Sequence, residues 1–96
     1  MDKVQLRLDE KGEGKFYIMN ETEQVGEMVF AIKGDLLTVY HTEVLPQAEG
    51  KGLAKKLLAA MVEYVRSHHL KVIPLCPYVH LQFRQHPEEY ADVWKR

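Results

Sequence analysis

The run Leu36-Leu37-Thr38-Val39-Tyr40-His41-Thr42-Glu43-Val44 leads through Leu45-Pro46-Gln47-Ala48-Glu49-Gly50-Lys51-Gly52 into Leu53-Ala54-Lys55-Lys56-Leu57-Leu58. Its first part is rich in β-branched and aromatic residues and reads as a strand. From Lys51 onward, Leu53, Leu57, Leu58, Met61, Val62 and Val65 recur at helical spacing, while Lys55, Lys56, Glu63 and Arg66 point away. Gly50 and Gly52 therefore stand where a strand hands over to a helix N-terminus. The first backbone N–H groups of a helix lack intrahelical partners, and the helix dipole adds partial positive charge there. Glycine removes the Cβ atoms that would keep a phosphate from those donors. Each charge-assisted bond of this kind contributes about 1.5–3 kcal/mol, so three or four can hold a pyrophosphate. Lys51 or Lys55 adds long-range attraction.

Outward from this point, the N-terminal half reads as antiparallel sheet. Val4, Leu6 and Leu8 alternate with polar residues as a half-buried strand does. Glu10–Gly14 is a turn, Lys15–Met19 a second strand, and Val25–Ile32 a third, with Lys33-Gly34-Asp35 turning into the fourth. The helix frays near Ser67-His68-His69. Lys71–Cys76 is a short apolar fifth strand whose Pro74 cannot donate to a ladder and marks an edge, a bulge or a splayed end. Tyr78–Gln85 predicts a short helix, and Glu88–Trp94 a last one with Pro87 at its first turn. On this last segment Tyr90, Val93 and Trp94 form an apolar face, to dock on the sheet or to serve as a dimer patch. The fold class is α+β: a four-stranded antiparallel meander, a long helix, a fifth strand and short C-terminal helices.

Ninety-six residues make one domain, expected to span 1–96. Thirteen basic against fourteen acidic side chains give a net charge of -1, which argues against a dedicated nucleic-acid binder. The lone Cys76 excludes an intramolecular disulfide and fits a reducing compartment. No run of ~18 apolar residues predicts a membrane span. Met1-Asp2-Lys3-Val4-Gln5 lacks the apolar heart of a signal peptide, so the cytoplasm is the expected location. Five histidines and one cysteine show no pair at ligand spacing, and no metal site is expected.

Other phosphate-binding patterns fail on spacing. A Walker loop needs Gly-Lys-Ser/Thr after a four-residue gap, and a dinucleotide fingerprint needs a third glycine where Lys55 stands. Gln47, Gly50 and Gly52 do satisfy Gln/Arg-x-x-Gly-x-Gly/Ala without a gap. With His41-Thr42-Glu43-Val44 before it and Leu75-Cys76-Pro77 after it, the chain from about Phe16 to Trp94 resembles the very small single-domain members of the GNAT superfamily of N-acetyltransferases.

The resemblance implies acetyl-CoA as cofactor and fourth and fifth strands that splay apart around its pantetheine arm. It implies binding by Val44, Leu45, Gln47, Glu49, Gly50, Lys51, Gly52, Leu53, Ala54 and Cys76, with the pyrophosphate on backbone amides from Gln47 to Leu53. The thioester would lie near Glu43 and Cys76. The helices that build an acceptor pocket in larger members are missing, which leaves an open site for a protein or peptide lysine or a small amine. An amine must lose its proton before it attacks, and Glu43 is the candidate base, with His41 two residues back as relay or replacement. Cys76 is read as a pocket wall or a transient acetyl carrier, and equally as a small buried apolar side chain. Many members place a tyrosine on the helix after the fifth strand to protonate the leaving thiolate. Gln82 occupies that position here, and Tyr78, one turn earlier, is the substitute. The expected activity is acetyl transfer by direct attack, in a monomer or weak homodimer. The alternatives are a non-catalytic coenzyme A-binding or sensing module and a small interaction domain.

Overall fold

Five strands form one mixed sheet in the order β1-β2-β3-β4-β5, with β1 Val4–Leu8, β2 Glu13–Met19, β3 Gln24–Lys33, β4 Leu36–Val44 and β5 Lys71–Pro74. The computed structural model describes residues 3–96. Met1 and Asp2, which begin the N-terminal stretch read above, lie outside them. The first four strands form an antiparallel meander, and β5 runs parallel to β4 after the crossover helix α1, Leu53–Ser67. A 3-10 turn at Pro46–Ala48 joins β4 to the glycine segment, and α2, Pro77–Gln85, follows β5.

Side-chain oxygens set two of the hairpins. Asp9 Oδ1 accepts the Lys11 and Glu13 amides at 2.8 and 2.9 Å, and Asn20 Oδ1 accepts the Thr22 and Glu23 amides at 2.8 and 2.7 Å. These are the local bonds by which Asp and Asn favour turns. In the first turn Gly12 has φ 86°, and a Cβ there would run into the Ile32 carbonyl, so no other residue fits without rearrangement.

Phe16, Ile18, Met28, Phe30, Leu37 and Val39 line one sheet face, against Leu53, Leu57, Leu58, Met61, Val62 and Val65 of α1. Full burial of each such side chain contributes about 1.5–3 kcal/mol. Val79 and Phe83 of α2 join the same cluster, where Phe83 stacks on Tyr90 at 4.7 Å. The opposite sheet face carries no helix among the described residues.

The alternation in β1 is as read, but its apolar side chains are not half-buried throughout. Leu6 and Leu8 lie on the helix side and stay 41% and 42% exposed, because α1 crosses mainly over β2, β3 and β4. The segment after Pro87 folds as successive turns instead of a continuous helix. Its carbonyls are drawn elsewhere: Arg66 Nη2 donates to Glu89 O at 2.8 Å and Lys71 Nζ to Asp92 O at 2.7 Å. Trp94 is then pulled into a parallel bridge with Val72. Tyr90 and Val93 are buried, so this face docks on the core.

Candidate active site

Two features of β4 shape the site. Its pairing with β5 runs only from Leu36 with Lys71 to Val39 with Pro74. The Cys76 amide still donates to Val39 O at 2.9 Å, after which Tyr40–Val44 continues without a β5 partner. Beyond Pro74 the Leu75 amide turns back to donate to Ile73 O at 3.1 Å instead of continuing the ladder to β4. The second feature is a bulge: Phe30 pairs with Val39 but Val29 pairs with His41, so Tyr40 is an extra residue. Before it, Leu37 and Val39 face the core. After it, Thr42 and Val44 do, while His41 and Glu43 turn to the uncovered face.

On the helix side, a groove of about 370 Å³ is lined by Thr42, Val44, Glu49, Gly50, Gly52, Leu53, Ala54 and Tyr78. Gly50 and Gly52 take φ 87° and 74°, and Gly52 is the left-handed N-cap of α1 with no side chain capping it. The helix therefore begins two residues later than Lys51. A Cβ on either glycine would meet nothing within 4 Å, so the space before these amides is open. An uncapped helix start facing a groove suits a phosphate group.

Six of the residues expected to bind cofactor line this groove: Val44, Glu49, Gly50, Gly52, Leu53 and Ala54. Gln47 and Lys51 face a separate shallow depression beside Met19 and Asn20, and Gln47 Nε2 donates to Glu23 Oε2 at 3.2 Å. The Leu45 amide is tied to Val25 O at 2.9 Å. Cys76 is buried behind Thr42, its Sγ 3.2 Å from Thr42 Oγ1. Tyr78 enters the groove, whereas Gln82 does not. Burial pushes the Tyr78 phenol above its ordinary pKa, and the neighbouring Cys76 thiol adds to the effect.

Across the sheet, His41 and Glu43 are joined by a residue the sequence reading did not single out, Glu27. It pairs with Glu43 across the β3–β4 ladder, its Oε2 lies 3.3 Å from His41 Nε2, and donor atoms of all three lie within 4.8 Å of one another. Lys15 Nζ is 3.6 Å from Glu27 Oε1, and Gln24 Nε2 donates to the same oxygen at 3.0 Å. Burial alone would raise the pKa of Glu27. The hydrogen bonds of Gln24 and His41 and the charge of Lys15 outweigh it and hold the carboxyl below its usual range. The cluster sits at the edge of the gap that β4 opens on leaving β5.

A larger depression of about 580 Å³ lies between α1 and the tail, lined by Lys55, Leu58, Val62, Arg66, Gln82 and Tyr90. Volume alone does not make it the site. It has neither the glycine amides nor the Glu27–His41–Glu43 cluster, and its arginine is already held by Asp92 at 2.9 Å.

Residues 15–93 match the family model of the GCN5-related N-acetyl-transferase. The chain belongs to that family. Among solved structures, a GCN5-like protein from Staphylococcus aureus superposes with a TM-score of 0.71 at 29% identity, over 99% of this chain and 91% of that one. The ribosomal-protein-alanine N-acetyltransferase of Brucella melitensis gives 0.63 at 20%, over 83% of this GCN5-related chain, which spans 62% of its length. An aminoglycoside N-acetyltransferase solved in complex with CoA gives 0.56 at 18%, over 88% and 69%. At these identities the last two show the shared fold alone. No curated protein matches the chain. The family places the splayed β4 and β5 of this chain in the GNAT fold, and no helix of the described residues is long and apolar enough to cross a membrane.

Proposed function

We propose that this chain transfers an acetyl group from acetyl-CoA to a primary amine presented at the uncovered face of the sheet. One observation carries the reading. The groove that starts at Gly50 and Gly52 runs along Thr42 and Val44, and the Glu27–His41–Glu43 cluster occupies the other side of that same unpaired stretch of β4.

In this reading, Gly52, Leu53 and Ala54 present their amides to the pyrophosphate, and the free edge of Tyr40–Val44 receives the pantetheine amides as an added strand would. When bound, acetyl-CoA supplies the electrophilic thioester carbonyl. A lysine-like ammonium with pKa ~10.4 is about one part in a thousand neutral at pH 7.4, a cost of ~4 kcal/mol. Glu43, with His41 and Glu27 behind it, takes that proton, and the two carboxylates also draw the cation to the gap. Nitrogen then bonds to the acetyl carbon as the carbon–sulfur bond breaks, and Tyr78, protonated at neutral pH, donates to the departing sulfur. The amide nitrogen releases its second proton to the cluster. No helix of the described residues covers the sheet face around it, which suits a protein or peptide lysine or a small polyamine over a tightly enclosed substrate.

Calorimetry with acetyl-CoA and free coenzyme A, run beside an acetylation assay on polylysine and polyamines, tests this. The expected result is binding of both cofactor forms, turnover on at least one amine, and loss of binding in Gly52→Val with the fold retained by circular dichroism. Binding without turnover on any amine would move the chain to a coenzyme A-sensing module. No binding at all would overturn the proposal.

A further inference from the structure

The two edges of the sheet are finished differently. At β5, Val72 donates to Val93 O at 2.6 Å and accepts from Lys95 at 2.9 Å, so the C-terminal segment covers that edge, and Pro74 closes it. β1 has no such cover among the described residues. It contains no proline, pairs with β2 without a bulge, and leaves Leu6 and Leu8 exposed beside a depression of about 290 Å³ lined by Val4, Leu6, Phe16, Tyr64 and His68. Bare edges of this kind are normally blunted, because their unpaired main-chain groups recruit another strand.

We infer that β1 pairs with β1 of a second copy of this chain, in antiparallel register about a two-fold axis at Leu6, to make one continuous sheet. The backbone fixes which residues can take part. Asp9 N–H donates to Glu13 O at 2.9 Å, so the odd-numbered residues of the strand turn their main-chain groups to β2. Val4, Leu6 and Leu8 turn theirs to the free edge. Hydrogen-bonded pairs across the axis must therefore join even residues: Leu6 with Leu6, and Val4 with Leu8 twice.

Charge selects this register over its neighbours. It sets Lys3 of one copy opposite Asp9 of the other, and Gln5 opposite Arg7, all on the uncovered face. Asp9 Oδ1 is held by its own turn, which leaves Oδ2 for Lys3. A shift by one repeat in one direction sets Arg7 against Arg7; in the other it sets Lys3 against Arg7. Both place like charges directly opposite and are disfavoured. In the selected register Val4, Leu6 and Leu8 of both copies form an apolar floor between the two α1 helices, with Tyr64 and His68 on either bank. One strand per copy makes an interface well below the ~1,600 Å² of a standard complex, so the dimer is weak and concentration-dependent. The inference is independent of the proposed function, since β1 lies at the edge opposite the β4–β5 gap.

Sedimentation equilibrium over a concentration series up to about 1 mM, where even a weak complex populates, tests the pairing with Leu6→Lys, Leu6→Glu and their equimolar mixture. Both substitutions fall on an exposed side chain, so folding is retained and checked by thermal melting. Wild type should approach twice the monomer mass. Each variant alone sets like charges on the two-fold axis and should raise the dissociation constant at least about tenfold, while the mixture recovers a 1:1 dimer. A wild type that stays monomeric, a dimer that survives both single variants, or a mixture that fails to recover would each overturn the inference. Coenzyme A binding is expected to be the same in all four samples.

Discussion

Were Tyr40 paired as an ordinary strand residue, the alternation that turns Leu37 and Val39 inward would carry His41 and Glu43 into the core beneath α1. The bulge reverses the parity, sends Thr42 and Val44 inward, and brings Glu43 opposite Glu27. Bulges next to active sites re-aim side chains in this way. Deleting Tyr40 should therefore leave Val39 followed directly by His41 in an uninterrupted ladder, with every later side chain on its present face. The expected outcome is a folded chain that melts close to wild type; a large loss of thermal stability would mean that the residues after the deletion have changed face. Replacing Glu43 by Gln keeps the shape and removes the proposed base. It should slow acetyl transfer by ~10²–10⁴ with acetyl-CoA affinity nearly unchanged, and a pH–rate profile that keeps its acidic limb in the variant would move the role to His41. For Cys76, exchange of acetyl from one thiol to another trades one thioester for another, which is roughly isoenergetic and brings no chemical advantage. Cys76→Ala should keep turnover within about tenfold, ~1.4 kcal/mol in barrier. Abolished turnover in the folded variant, with an acetyl mass trapped on wild-type Cys76, would establish a two-step route.

At the scale of elements, the turn connecting β4 to α1 was legible because composition and period change together across it. The β4 span, Leu36–Val44, follows directly from its β-branched and aromatic run. The tail was not legible, since Pro87 and the spacing of Tyr90, Val93 and Trp94 signal a helix. That pattern carries no information about Arg66 and Lys71, 20-odd residues upstream, which take its carbonyls. Glu27 was hidden for a similar reason: it meets Glu43 through a cross-strand register that only the bulge makes, and a bulge leaves no mark on periodicity. The tail carries a prediction of its own. The Arg66 hydrogen bond, opposed slightly by burial, holds the Asp92 carboxyl below its ordinary range. A carboxyl that binds its proton less readily when folded gives its stabilisation in full above its unfolded pKa, and loses it as pH falls through the folded one. Melting temperatures should thus fall as pH drops below about 4, and Arg66→Gln should flatten that slope. The pair is exposed, so the effect stays within about 1 kcal/mol. An unchanged slope in the variant would assign the acid sensitivity to Glu27 and its partners.

For the molecule as a whole, the sheet is buried on one face only, and one small core must hold all five strands. The start of α1 adds to this burden, because Gly52 stands in a left-handed conformation at the N-cap where Ser, Thr or Asp normally supply a side-chain bond worth about 1 kcal/mol. At a φ of 74° a side chain would be strained and could not take the extended backbone that N-capping uses, so this helix start stays uncapped. A ligand that binds only the folded chain returns the stability forgone. At a hundredfold excess over its dissociation constant it contributes about 2.7 kcal/mol. For a domain of this size each kcal/mol moves the melting temperature by about 4–8 °C. Coenzyme A at that excess should therefore raise the melting point by roughly 10–20 °C. Gly52→Asp, which strains this left-handed position and sets a carboxylate against the pyrophosphate, should melt somewhat below the unliganded wild type and gain almost nothing from coenzyme A. A coenzyme A shift in Gly52→Asp as large as in wild type would show that the glycine amides do not hold the cofactor, whatever else binds it.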